Sequence, residues 1–143
     1  MYPEIMVIPM REELTRLGAE ELRSAADVDR FVQNESGTNM LVVNSICGCA
    51  AGRMRPAVRL ALQNAIKPGK IATVFAGQDV EATARARAHF AGYPPSSPSI
   101  AILRDGKVVY MMHRHQIETR DASSIAADLK AAFDQHCAVA AAR

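Results

Sequence analysis

Residues 41–56 of the chain read LVVNSICGCAAGRMRP, and this stretch decides the fold. It begins inside a continuous apolar and β-branched run at residues 40–44, which predicts a buried strand. After Cys49 the apolar residues recur at helical spacing, so the stretch ends in a helix. Two cysteines separated by one glycine therefore stand where a strand passes into a helix. Three interpretations of this pair compete: a redox pair, half of a metal site, or two small buried residues.

The patterns on either side of this stretch predict an α/β fold. The helix after Cys49 is expected to run to Pro68 and Gly69, with a kink at Pro56. The other expected elements are a helix at residues 9–17, an edge strand at 20–23, a helix beginning near Asp27, a strand at 71–76, a helix at 80–91, two strands within 100–112 joined at Asp105 and Gly106, a last helix opened by Asp121, and an Ala-rich tail at 137–143 that frays from it. Alternating helices and strands favour a parallel pair, and the hairpin adds antiparallel strands, so the sheet is mixed. Open sheets of this kind carry their sites at the carboxyl ends of strands, where the cysteines lie.

Composition excludes several classes of protein. The chain has 143 residues, of which 49% are hydrophobic and 22% are charged, and these values fit a single domain over residues 1–143. The formal net charge of +2 does not indicate a nucleic-acid partner, because no face or run concentrates Lys and Arg. No apolar run approaches about 20 residues, so no membrane partner is expected. The N-terminus lacks the pattern of a signal peptide and three cysteines form no secreted disulfide framework, so we expect the chain in the cytoplasm.

The position of the pair favours thiol chemistry. A thiol at a helix N-terminus meets unpaired backbone N–H groups and a partial positive charge, which favour the nucleophilic thiolate. Cys47 can then attack a disulfide, and Cys49 can resolve the mixed disulfide, while Gly48 lets the backbone turn and leaves the sulfurs approachable. A disulfide across this spacing closes a ring of about eleven atoms, whose strain makes it easier to reduce. That property suits an exchanger or isomerase better than a strong general reductant.

The alternatives depend on other side chains. Zinc usually takes four ligands, and the chain offers only one close cysteine pair, with His113 and His115 as possible further ligands at the end of the hairpin. No metal is therefore assigned, and exposed strand-end histidines are the simpler interpretation. Cys137 is expected to be a buried free thiol on the last helix. Arg53 and Arg55 are either surface charges or groups that steer a carboxylate of a small thiol.

The chain resembles the thioredoxin superfamily in its order of elements. The pair follows a central strand and opens a helix, and SPSIAILRDGKVV at residues 97–109 is similar to the cis-proline, strand and antiparallel strand of that superfamily. GAEELRSAADVDRFV at residues 18–32 is similar to its first strand and helix. The resemblance implies a thioredoxin-like fold, in which a central mixed β-sheet is flanked by helices, with an extra helix at the N-terminus. It also implies a cis peptide bond before Pro98, with the backbone of Ser97 beside the cysteines to pair with an extended substrate.

A narrower resemblance is to the bacilliredoxin family, on NSICGCAAGRMRP, PPSSPSIA, REEL and the short N-terminal helix. It implies a thiol-disulfide oxidoreductase that reduces mixed disulfides between protein cysteines and bacillithiol, or another small thiol used as co-substrate, with no tightly bound cofactor. Cys47 would take the small thiol, and Cys49 or a second bacillithiol would clear it. The partners would be S-thiolated cytoplasmic proteins and the small thiol. Protein disulfide isomerisation is the alternative enzyme activity, and a non-enzymatic metal-binding or redox-sensing module is the alternative from another class.

Overall fold

The structure is a computed structural model, and it describes residues 1–34 and 37–138. Residues 139–143 of the Ala-rich tail lie outside the described residues. The elements are α1 (Glu4–Thr15), β1 (Glu20–Glu21), α2 (Ala25–Asn34), β2 (Thr38–Asn44), a π-helical segment (Ala50–Met54), α3 (Arg55–Ala61), β3 (Ile71–Phe75), α4 (Val80–Ala88), β4 (Ser99–Arg104), β5 (Lys107–Met112), α5 (Arg114–Glu118) and α6 (Ala122–His136).

The strands form one mixed sheet in the order β1-β3-β2-β4-β5. β3 runs parallel to both β1 and β2, while β4 is antiparallel to β2 and to β5. β2, which ends just before the cysteines, is therefore the central strand. Its register with β4 sets Val43 opposite Ser99, so the loop before β4 meets the loop after β2 at the same edge of the sheet.

Apolar residues cover both faces of the sheet. Successive residues of β2 point to opposite faces, so Met40 and Val42 pack in one hydrophobic cluster and Leu41 and Val43 in the other. The first cluster includes apolar residues of the π-helical segment, α3, α5 and α6, and the second includes those of α2 and α4. Because β2 is buried on both sides, the two ends of its backbone hold fixed positions, and the loop that carries the cysteines starts from a rigid base.

Several expected helix bounds are wrong. α1 begins at Glu4 and contains Pro9, because Arg11 binds Glu4 at 2.7 Å and holds the preceding turn in the helix. α3 ends at Ala61 instead of Pro68, and in the turn that follows the Asn64 amide donates to the Ile66 carbonyl at 2.8 Å.

Two further features differ from expectation. Pro56 lies in the first turn of α3, where a missing N–H is tolerated, and the irregular geometry precedes it as the π-helical segment. α5 was not expected, and it begins directly after β5 ends. Within residues 1–34 and 37–138, no helix is long and apolar enough to cross a bilayer.

Candidate active site

Cys47 occupies the junction between β2 and the helical segment that follows. The Cys47 carbonyl accepts hydrogen bonds from the backbone N–H groups of Ala50 at 3.0 Å and Ala51 at 3.1 Å. The second of these starts the helical turn, which continues as the π-helical segment from Ala50. π-Helical turns are uncommon and often mark functional sites. The expected position of the first cysteine at a helix N-terminus is therefore what the structure shows.

The surroundings of Cys47 favour its thiolate. The Ser45 hydroxyl donates a hydrogen bond to Cys47 Sγ at 3.2 Å. Partial burial alone would raise the pKa of Cys47, but hydrogen bonds from the Ser45 hydroxyl, the Ala50 backbone N–H and Cys49 outweigh it and hold the pKa below the ordinary thiol value. A half-buried thiol with a lowered pKa can be both reached and ionised, as a nucleophile requires.

Cys49 has the opposite character. Burial and the adjacent Cys47 sulfur raise the pKa of Cys49, and the positive charge of Arg114 opposes part of that rise. The Nη2 of Arg114 lies 3.8 Å from Cys49 Sγ. The two thiols thus differ in the direction of their pKa shifts, with the proton retained on Cys49. This asymmetry fits the expected division between an attacking and a resolving cysteine.

The loop before β4 closes the site from the other side. The peptide bond between Ser97 and Pro98 is cis, which is the geometry expected from the sequence. Arg114 donates from Nη1 to the Ser97 carbonyl at 3.1 Å and from its backbone N–H to the Ser96 hydroxyl at 3.3 Å. Arg114 therefore connects this loop to Cys49. Sequence reasoning missed it, because its only signal was a position at the end of a strand in the hairpin.

An open depression adjoins Cys47, with a volume of about 290 Å³. We call it the Cys47 depression; it is lined by Tyr2, Ser45, Ile46, Cys47, Ala76, Gly77, Arg87, Ser97 and Arg114. It brings the N-terminal residues, the loop after β3, α4 and the cis-proline loop to one nucleophile. Tyr2 is held there because its backbone N–H donates to Gln78 Oε1 at 2.8 Å.

Gly48 has a different role from the one expected. Gly48 is exposed, its φ is not positive, and an added Cβ would meet no atom within 4 Å. The tight turn therefore does not depend on glycine. That Gly48 leaves the two sulfurs approachable to a substrate stays a prediction.

A buried polar pair lies beneath Cys47 and corrects the expectation for Arg55. Arg55 is only 2% exposed, and its Nη1 donates to Asn44 Oδ1 at 3.0 Å and to the Ser45 carbonyl at 3.0 Å. Its Nε faces Glu13 at 3.2 Å. Arg55 is neither a surface charge nor a group that can reach a ligand, because these partners hold it inside; it fixes the loop that carries Cys47 to α1 and to the end of β2.

The remaining candidates lie in other settings. Arg53 donates from Nη1 to the Arg120 carbonyl at 2.6 Å, which ties the π-helical segment to the chain before α6. His113 and His115 are not on a strand: His113 caps α5 and its ring stacks on His115 at 5.8 Å between ring centroids. In the part of the chain that the structure describes, no group of three or more His, Cys, Asp or Glu side chains is placed to hold a metal ion.

Cys137 is buried at the end of α6, and burial raises its pKa to about 11.

Solved structures share this fold. A thioredoxin of Fasciola hepatica aligns over 82% of this chain and 98% of its own, with a TM-score of 0.56 and 21% identity. A thioredoxin of Malassezia sympodialis aligns over 84% of this chain and 91% of its own, with a TM-score of 0.55 and 16% identity. These likenesses confirm the expected thioredoxin-like fold, and α1 is its extra N-terminal helix. The chain is therefore a thioredoxin-fold protein with a cysteine pair after the central strand.

Sequence relatives identify the family to which this thioredoxin-fold protein belongs. The family model described as "Disulphide isomerase" matches residues 2–137. A bacilliredoxin of Koribacter versatilis is 61% identical over 141 residues, which cover 99% of this chain and 97% of that protein. Bacilliredoxins of Salinibacter ruber and Bacillus cereus are 54% and 50% identical, each over 95% of this chain and over 81% and 95% of their own lengths. The chain belongs to the bacilliredoxin family and is a thiol-disulfide oxidoreductase.

Proposed function

We propose that this chain reduces mixed disulfides between protein cysteines and bacillithiol, or another small thiol, through Cys47 and Cys49. The observation that carries the proposal is the opposite shift of the two thiol pKa values beside an open depression, lowered at Cys47 and raised at Cys49. One sulfur is prepared to attack while the other keeps its proton. The name bacilliredoxin, carried by relatives that match nearly the whole chain, supports a small thiol as the group removed.

The reaction proceeds by two disulfide exchanges. The Cys47 thiolate attacks the small-thiol sulfur of the mixed disulfide, a new S–S bond forms on Cys47, and the protein cysteine leaves as a thiolate that takes a proton from solvent. Cys49 then loses its proton and attacks Cys47 Sγ, which releases the small thiol and leaves a disulfide between Cys47 and Cys49. Alternatively, a second small thiol attacks the bound one and leaves as a symmetric disulfide. The two electrons that restore the dithiol come from further small thiol.

The protein substrate would bind along the cis-proline loop. Ser97 lines the same depression as Cys47, because β4 pairs with β2 and brings the loop that contains Ser97 and Pro98 to the carboxyl end of the central strand. An extended substrate segment can pair with the backbone of Ser97 as an added strand. The Ser97 carbonyl already accepts from Arg114, and its second lone pair stays open to a substrate N–H. The exposed Gly48 leaves space for the substrate chain above the sulfurs.

The proposed chemistry also indicates the cellular compartment and the cofactor requirement. Every step exchanges sulfur partners, so the reaction uses no bound metal or organic cofactor, and the small thiol is a co-substrate. A dithiol that must be reduced between cycles suits the cytoplasm, where small thiols keep cysteines reduced. The proposed partners are therefore S-thiolated cytoplasmic proteins and the small thiol, and neither nucleic acid nor membrane takes part.

Intact-mass spectrometry of the Cys49→Ala variant tests this function. The variant is incubated with a carrier protein modified by bacillithiol and, separately, with the same carrier modified by glutathione. A bacillithiol adduct on Cys47 with release of free carrier is the expected result. An adduct from glutathione alone would contradict bacillithiol as the partner and keep the exchange chemistry. Absence of both adducts would contradict the proposal as a whole.

Disulfide isomerisation is the second candidate, and the description of the matching family model favours it. Isomerisation needs an attacking thiol that leaves again after rearranging a substrate, so Cys47 alone would suffice. The two activities separate in the Cys49→Ala variant. An isomerase rescues a scrambled, disulfide-bonded substrate at the wild-type rate in that variant, whereas a de-thiolating enzyme to which no free small thiol is added stays trapped as the adduct on Cys47.

A further inference from the structure

The Cys47 depression is lined by two cations and no anion. Arg87 and Arg114 contribute guanidinium groups, and none of its lining residues is Asp or Glu. Its volume of about 290 Å³ is near the lower end for small-molecule pockets, roughly 300 Å³. The depression therefore has the size and the charge for a small organic anion held next to the nucleophilic sulfur.

The two arginines are not equally available. Arg114 forms an ion pair with Glu118 at 2.9 Å and also binds the Ser97 carbonyl and Cys49. Arg87 has an enclosed Nε with no hydrogen-bond acceptor. Two other arginines have such a nitrogen, Arg55 and Arg120, but each of them forms an ion pair with a carboxylate. Among the described residues, no carboxylate pairs with Arg87, so the charge of this half-buried side chain is not neutralised by a neighbouring acid.

The neighbouring arginine of the same helix shows the contrast. Arg85, two positions earlier on α4, donates to Asp29 of α2 at 2.6 Å. Residues two apart on a helix do not share a face, so Arg85 is directed to α2 while Arg87 is directed to the Cys47 depression. A carboxylate in the depression can pair with the Arg87 guanidinium without displacing a protein carboxylate, whereas at Arg85 it would have to compete with Asp29.

We propose that Arg87 is a specificity-determining residue, which binds a carboxylate of the small thiol while that thiol is exchanged onto Cys47. The inference rests on the proposed function and specifies the substrate class as thiols that carry a carboxylate. When the Cys47 thiolate attacks the small-thiol sulfur and the protein thiolate leaves, the small thiol becomes the group bound in the depression. The carboxylate of the small thiol is then attracted by the positive charge of Arg87, and this attraction orients the small thiol for the exchange.

A first test measures charge preference at Cys47 without any mixed disulfide. In the Cys49→Ala background, Cys47 is alkylated with iodoacetate, which carries a carboxylate, and with neutral iodoacetamide, and the rates are read at the Cys47 peptide by mass spectrometry. Arg87→Gln is expected to lower the ratio of the iodoacetate rate to the iodoacetamide rate by about fivefold, because one nearby charge is lost. The matched control Arg85→Gln removes the same charge from the same helix and should leave the ratio within about twofold. An unchanged ratio in Arg87→Gln, or an equal fall in Arg85→Gln, overturns the proposal.

A second test uses the reaction itself. The same carrier protein is modified with mercaptosuccinate, which has two carboxylates, or with uncharged 2-mercaptoethanol. The values of kcat and KM for release are measured with 2-mercaptoethanol as the reductant in both assays, after subtraction of the rate without enzyme. Arg87→Gln is expected to raise KM for the mercaptosuccinate adduct about tenfold and to leave the 2-mercaptoethanol adduct unchanged, while Arg87→Lys restores part of the loss. Equal losses on both adducts would indicate a structural role and contradict the proposal. The proposed function fails separately, if Cys49→Ala takes no adduct from the bacillithiol-modified or the glutathione-modified carrier, and the alkylation ratio still decides the role of Arg87.

Discussion

The Nη2 of Arg114 lies 3.8 Å from the Sγ of Cys49, so a cation from the short helix α5 stands beside the cysteine that retains its proton. The same guanidinium holds the Ser97 carbonyl of the cis-proline loop. One side chain therefore contacts both the thiol proposed to resolve the mixed disulfide and the expected binding site of the protein substrate.

Loss of Arg114 should slow the second exchange. In Arg114→Gln the positive charge that opposes the raised pKa of Cys49 is gone, so that pKa rises further and less Cys49 thiolate is available. We expect the small-thiol adduct on Cys47 to live about three- to tenfold longer at neutral pH, measured by quenched-flow and intact mass. Arg114→Lys keeps the charge and should recover part of the rate. An adduct lifetime equal to that of the wild-type protein would contradict this role.

Ser45 is expected to activate Cys47. Its hydroxyl donates to Cys47 Sγ, and without it the pKa of Cys47 rises towards that of an ordinary thiol. Ser45→Ala should reduce iodoacetamide alkylation of Cys47 at neutral pH by about three- to tenfold, because a hydrogen bond to a charged group is lost. Ser123→Ala changes an exposed serine on α6 and serves as control. Equal rates of Cys47 alkylation in the two variants would contradict this role of Ser45.

The pH dependence of alkylation should separate the two cysteines. A lowered pKa leaves Cys47 ionised at a pH where free thiols are protonated, so its rate should reach half its plateau below about pH 8.5. The pKa of Cys49 is raised, so its rate should reach half its plateau above that pH. Peptide-level mass spectrometry after short alkylation at a series of pH values measures both. A midpoint for Cys47 at or above about 8.5 would contradict its activation.

The polar pair beneath the site should contribute to stability. Asn44 is fully buried, accepts from Arg55 and donates from Nδ2 to the Met10 carbonyl at 3.1 Å. Asn44→Ala leaves a buried cation short of one acceptor, and we expect the free energy of unfolding in urea to fall by about 2–3 kcal/mol. Asn64→Ala removes an amide with two hydrogen bonds in a more exposed turn, and it should lower the free energy of unfolding by less than about 1 kcal/mol. Similar losses in both variants would argue against a special role for burial at Asn44.

Local patterns predicted the part of the fold that contains the cysteines. The apolar run of β2, the Asp105 and Gly106 turn and the Asp121 cap each act over a few residues, and the structure has all three: Asp105 and Gly106 adopt positive φ, and Asp121 accepts from the Ser124 N–H. The five residues of α5 are too few to show a helical period. Helix α1 depends on distant partners, because Arg11 joins it to Asp79 at the start of α4.

The arginines show why the rest of the site was not predicted. Sequence reasoning assigns charged residues to the surface, yet Arg55 is enclosed because its acceptors come from two distant segments, Glu13 on α1 and Asn44 with Ser45 at the end of β2. Arg87 and Arg114 reach the Cys47 depression from different elements, and only the tertiary structure places them together. The two cysteines were identifiable because two residues of one reactive type stand only two positions apart in the sequence.

The floor of the site, formed by Asn44 and Arg55, has a consequence for the path of protons. An amide and a guanidinium provide no general base, so this floor takes no proton from Cys47. A proton that leaves Cys47 can pass to water or to the departing thiol through the open side of the site. The rate of exchange should therefore depend on buffer species that can enter that opening.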